Sequence, residues 1–151
     1  MRIIYESSFM ILTYQSSLKL MEIVWLPTRN SMLPAQFQSE FLTFLLYQDQ
    51  YKCERLLLDE RHLKFKATPS IQKWIKEIIN KRANYYSKKI VILVSEELLR
   101  RQFLEDTVTG LNLEKTQINL FSSKGAAKNF LLDNNIRNTS YETIISSLLL
   151  S

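Results

Sequence analysis

The residues best suited to chemistry lie close together after the apolar run Leu56–Leu57–Leu58. Asp59, Glu60, Arg61 and His62 follow in direct succession, and Thr68 and Ser70 stand a few positions on. A carboxylate, an imidazole and a hydroxyl are the components of a nucleophilic hydrolase. That chemistry needs both partners to reach one imidazole, usually from separate loops. His62 is the only histidine, and it sits three residues from Asp59. No Gly-x-Ser-x-Gly elbow occurs. One histidine, the single cysteine Cys53 and scattered acids supply no metal-ligand cluster. No acidic loop of the calcium-binding type is present. With only 2 glycines, neither a phosphate cradle nor a dinucleotide fingerprint is available. These observations predict a chain that is not an enzyme and carries no cofactor or metal.

The hydroxyls have a simpler use. Thr68 precedes Pro69, and Thr-Pro is a helix start signal. Ser95, and Ser122 or Ser123, likewise stand where later helices begin, so each is suited to capping its own helix. Helix N-termini also carry unpaired N–H groups that favour anions. The charge pattern adds to this. Between Glu60 and Ile90 there are nine Lys or Arg against the two acids Glu60 and Glu77, within a chain of formal charge +5. Such a block suits an anionic partner or, more commonly, a solvated face. Tyr85 and Tyr86 stand near Lys88 and Lys89, but no RNA-binding signature accompanies them, so nucleic acid is not an expected partner.

The elements that must position these residues follow from periodicity. Ile3–Tyr5, Phe9–Tyr14 and Leu18–Leu26 have strand character, the last two flanking a Gln15-Ser16-Ser17 turn. In the third segment Leu18, Leu20, Glu22, Val24 and Leu26 share one face; Lys19, Met21, Ile23 and Trp25 share the other. Phe37, Phe41, Phe44 and Leu45 form a helical stripe, widened by Leu42 and Leu46, which predicts a helix packed in a groove. "RLLLD" and "KKIVILVS" have the continuous apolar runs of strands covered on both faces. Between them Ile71, Trp74, Ile75, Ile78 and Ile79 repeat at helical spacing. A further helix is expected over 96–110, a strand over "TQINLF", and a short helix with Ala126, Ala127, Phe130 and Leu131 turned inward.

The expected fold is therefore α/β, with a mixed sheet of about five or six strands. An N-terminal antiparallel hairpin precedes parallel strands, about four helices pack on the sheet, and connections are right-handed. One domain is expected over residues 1–133. A tail over 134–151 has Tyr141, Ile144, Ile145, Leu148 and Leu149 at helical spacing, suited to docking on the domain or to a homodimer contact. A lone cysteine, an N-terminus without a signal-peptide pattern and the lack of a transmembrane segment together suggest the cytoplasm.

The order of elements and several local patterns resemble the STAS-like proteins, the superfamily of anti-sigma factor antagonists, and in particular small bacterial stand-alone members of the STAS or lipid-exchange type. The likeness covers roughly residues 1–133. It rests on a strand ending in tryptophan ("KLMEIVW"), the "LLLD" strand, a tryptophan-bearing helix ("IQKWIKE"), and a closing strand with a short Ala-containing helix ("INLFSSKGAAKNFLL"). In the superfamily a Ser or Thr after the "LLLD" strand is a phosphorylation switch that breaks partner binding. The resemblance places Thr68 at that position, nine residues after Asp59, with Phe65 at an expected apolar site. The superfamily has an acid before the hydroxyl and a small residue after it; this chain has Ala67, then Pro69 and Ser70.

The resemblance implies a non-catalytic regulatory or protein-interaction module. Its contact surface would contain Asp59, Arg61, Thr68, Ser70 and Ser95. The alternative is binding of a small apolar or lipid-like ligand in a pocket lined by Trp25, Phe37 and Phe41.

Overall fold

The computed structural model describes residues 1–82, 87–95 and 116–133. The helix expected over 96–110, the pair Tyr85 and Tyr86, and the tail over 134–151 lie outside the described residues.

The three N-terminal strand segments form β1 (Arg2–Glu6), β2 (Met10–Gln15) and β3 (Leu20–Trp25). They pair as an antiparallel meander. The expected turn is a single 3-10 turn over Ser16–Leu18, closed by Lys19 with a left-handed φ of 47°. β4 (Arg55–Asp59), β5 (Lys89–Leu93) and β6 (Gln117–Phe121) then add in parallel. The result is one six-stranded mixed sheet in the order β1-β2-β3-β4-β5-β6. Each strand thus lies beside its neighbour in sequence.

Among the described residues there are helices α1 (Pro34–Tyr51), α2 (Pro69–Asn80) and α3 (Lys124–Leu132). The crossovers β3–α1–β4 and β4–α2–β5 advance in one direction along the sheet, so right-handed connections put both helices on the same face. There Phe37, Phe41, Phe44, Leu45 and Ile71 bury Met21, Ile23, Leu56, Ile90 and Ile92. α3 follows β6 and covers the opposite face, where Ala127 and Leu131 meet Leu20, Leu57, Val91 and Leu93. Alternating residues of β3 and β4 therefore enter two different cores. This accounts for the mixed character of the third strand segment and the unbroken apolar run of the fourth.

Two expectations about helix faces are corrected. Leu42 and Leu46 do not pack in a groove: they are 48% and 66% exposed, because only one side of α1 meets the sheet and α2. On α3, Ala127 and Leu131 are fully buried, whereas Ala126 is exposed and Phe130 half-buried. A nine-residue helix reaches the sheet along one narrow line. No helix among the described residues is long and apolar enough to cross a membrane.

Candidate functional site at the carboxyl edge of the parallel strands

In open sheets of this kind ligands and partners meet the carboxyl ends of the parallel strands. Asp59, Leu93 and Phe121 end β4, β5 and β6 in register. The ladders run slightly further, with Glu60 N–H donating to Leu93 O at 2.8 Å and Val94 N–H to Phe121 O at 2.9 Å. Asp59, Ser95 and Ser122 thus share one edge, as their places in sequence predict. Asp59 is buried, Ser95 half-buried and Ser122 exposed.

Asp59 shapes the loop that follows it. Arg61 Nε donates to Oδ1 at 2.9 Å, Arg61 Nη2 to Oδ2 at 2.8 Å, and the Arg61 backbone N–H to Oδ1 at 3.2 Å. Burial would push this carboxyl up. The guanidinium hydrogen bonds, the backbone N–H and the Arg61 charge outweigh burial and hold Asp59 below its ordinary range. Glu60 behaves in the opposite way. Burial, followed by the Asp59 charge, pushes its carboxyl up to about 7. Adjacent acids thus titrate well apart, a pattern also seen in acid–base pairs. Here both Asp59 oxygens are already occupied by Arg61.

Beyond this clamp the chain runs to α2 with a two-residue alternation. Leu63, Phe65 and Ala67 are half-buried against the core, while His62, Lys64 and Lys66 are exposed. Phe65 stacks on Phe37 with centroids 4.3 Å apart, and Phe37 stacks on Trp25 at 5.4 Å. Phe41 joins Phe37 at 5.9 Å and Trp74 at 5.7 Å. Trp25, Phe37 and Phe41 are therefore together, and they are packed on one another and on Phe65. Met32 N–H donates to Lys64 O at 2.9 Å, which ties the β3–α1 loop to the same segment. At its end Thr68 Oγ1 accepts from Ile71 N–H at 3.3 Å and caps α2. Ser70 is exposed in the first turn of that helix. His62 is a solvent-facing loop residue.

The structure therefore brings Asp59 and Arg61 into direct contact. Thr68 and Ser70 stand at the far end of the intervening strip, and Ser95 at the end of the neighbouring strand. Sequence reasoning missed the unusual setting of Glu60 and the role of Phe65 as the outer member of the aromatic stack. It also missed Glu22, only 5% exposed on the α3 face, with Lys124 Nζ at 3.7 Å and Lys128 Nζ at 3.5 Å. The face alternation of β3 contained that signal, since Glu22 shares its side with Leu20 and Val24. Among the described residues no group of three His, Cys, Asp or Glu side chains is placed to hold a metal ion. Cys53 is free and buried, and burial pushes its thiol up to about 12.

No family model, no curated protein and no solved structure matches the chain.

Proposed function

We propose that this protein is a non-catalytic regulatory or interaction module that binds a protein partner through the carboxyl edge, using the β4–α2 strip and the start of α2. The observation that carries this reading is the commitment of Asp59. Its two oxygens hold Arg61 and so set the course of the loop, while the outward row of that loop and Ser70 stay exposed. An acid buried in this way acts as a fixture for a surface. The order of elements, similar to that of anti-sigma factor antagonists, supports the same use of the strand–loop–helix unit.

The test is site-directed photo-crosslinking in the native cell. A photoreactive residue at Ser70 should trap one discrete protein partner, and the same residue at Lys81, at the other end of α2, should not. Equal trapping at both positions, or none at Ser70, would count against the module. Native mass spectrometry of the purified protein provides the contrast, because a retained lipid would favour a ligand carrier instead.

A further inference from the structure

We infer that the strip His62–Lys66, extended by Arg29, is a docking surface for an acidic, extended peptide segment of the partner. This inference rests on the interaction reading above and adds the chemistry of what is bound.

Four observations converge on it. The first is uncompensated charge. From Arg61 to Lys76 the chain carries Arg61, Lys64, Lys66, Lys73 and Lys76 with no Asp or Glu. Arg61 pairs with Asp59 and Lys73 with Glu77, so the unmatched charge of the strip is that of Lys64 and Lys66. Several cations elsewhere are matched to acids: Lys19 and Lys88 to Glu54, Lys124 and Lys128 to Glu22, and Arg82 to Asp49. Lys64 and Lys66 are exposed and form no ion pair among the described residues. The nearest acid, Asp59, is buried and neutralised by Arg61. Burial also keeps the neighbouring Glu60 carboxyl largely protonated below neutral pH.

The second observation is spacing. Past the turn at Arg61–His62, closed by Leu63 N–H donating to Glu60 O at 3.2 Å, alternation of inward and outward side chains puts Lys64 and Lys66 on one side of the strip. In extended chain, alternate residues lie roughly 6–7 Å apart. Acidic side chains at alternate positions of an extended peptide have the same repeat. That repeat is shorter than the screening length of about 8 Å at physiological ionic strength, so neighbouring cations act on a ligand together.

The third is the contribution of other elements. Lys64 Nζ reaches Arg29 O at 3.5 Å, which brings the loop bearing exposed Arg29 alongside. The strip also leads into the N-terminus of α2, whose first turn contains no acid. Its partial positive charge has the same sign as the lysines.

The fourth separates peptide from nucleic acid. Single-stranded nucleic acid is held by stacking on aromatic rings as well as by charge. The aromatic ring of this strip, Phe65, is turned inward onto Phe37. Apart from His62, exposed at its start, the strip offers charge without an outward ring, which suits carboxylates better than stacked bases.

Fluorescence anisotropy with a dye-labelled peptide alternating glutamate and serine tests this directly. The peptide should bind at physiological ionic strength. The double reversal Lys64→Glu/Lys66→Glu should weaken it by at least about tenfold, as expected when charge complementarity is inverted at two sites. Lys64→Arg/Lys66→Arg should retain binding. Lys52→Glu/Lys81→Glu makes the same change in net charge at the opposite edge and should leave binding within about twofold, since screening removes distant charge effects. Melting curves check that every variant is folded.

Three results would overturn the inference: no binding of the peptide, equal weakening by both reversals, or tighter binding of an oligothymidylate of equal charge. If the peptide fails while the Ser70 crosslink still traps a partner, the acidic-segment inference falls and the interaction module stands. Loss of the Ser70 crosslink removes the module itself.

Discussion

Asp59 and Glu60 are neighbours of one residue type class with opposite behaviour, and the difference lies in partners. Asp59 has a bidentate guanidinium; Glu60 has burial and the charge of Asp59 against it. Its ordinary value of 4.5 is raised to about 7 in the folded protein. Below both values the carboxyl is protonated in both states and has no effect on folding. As pH rises between them the unfolded chain ionises first, so the native state loses relative stability. Above about 7 that loss is complete and constant. Glu60→Gln should therefore match the parent near the acid end of this window. Above it the variant should be more stable by about 1–2 kcal/mol, allowing for the solvent access of a half-buried group. Urea midpoints at acidic and mildly alkaline pH measure the difference; a constant offset at both would refute it. Thr68→Ala makes a pH-independent contrast, costing ~1 kcal/mol by loss of the α2 cap, read from the same titrations. The cap was legible in sequence because capping is local: Thr-Pro before an amphipathic run is enough. The Glu60 environment was not, because it depends on the pairing of β4 with β5, whose Leu93 O accepts from Glu60 N–H.

Strands and helices were legible for the same local reason, since a period of two or of 3.6 shows which side chains share a face. Periodicity cannot show how wide a face the neighbours cover. Leu42 and Leu46 fit the apolar stripe of α1 but extend past the edge of its contacts, as Ala126 does on α3. The docking of α3 is a second feature beyond the reach of pattern. Its C-terminal carbonyls are met by cations from the starts of two strands. Arg55 Nε donates to Leu131 O at 3.0 Å. Lys89 Nζ donates to Phe130 O at 3.0 Å and to Asp133 O, and lies 5.0 Å from the Phe130 ring centroid. Cations suit a helix C-terminus. Lys89 is nevertheless 8% exposed, and burial, opposed by Asp133 and reinforced by Arg55, pulls its amine below the ordinary range. Sequence rules usually place lysine outside, and the buried-strand pattern of "KKIVILVS" does not show that Lys89 reaches the end of a later helix. Lys89→Met keeps the length and loses the donors. It should destabilise the fold by about 1–3 kcal/mol, the cost of losing charge-assisted hydrogen bonds to partly buried carbonyls. Hydrogen exchange should quicken in α3 before it does in β3 or β4; uniform acceleration would mean that α3 is not separately anchored.

Across the whole molecule, the sheet and the charge are organised differently. Consecutive strands are spatial neighbours throughout, and this simple order is what made the architecture readable from the chain alone. Charge follows no such order. Acids and bases are matched around Glu22, Glu54, Asp49, Asp59 and Glu77, yet the exposed Lys64 and Lys66 form no ion pair among the described residues. Adjacent like charges oppose the compact state, so this surface should lower the stability of the free protein. Exposed pairs such as Lys19–Glu54 contribute little, and added salt therefore acts mainly on the unmatched cations. The melting temperature should rise by a few degrees, roughly 2–4 °C, as sodium chloride is raised from low to physiological concentration, equivalent to ~1 kcal/mol in a domain of this size. In Lys64→Glu/Lys66→Glu the low-salt melting temperature should be higher than the parent's and the rise with salt should be smaller. The same substitutions that are expected to weaken peptide binding would then stabilise the free protein. A parent melting temperature that is flat or falling with salt would show that these lysines do not repel one another and that the basic edge is already neutralised by contacts within the chain.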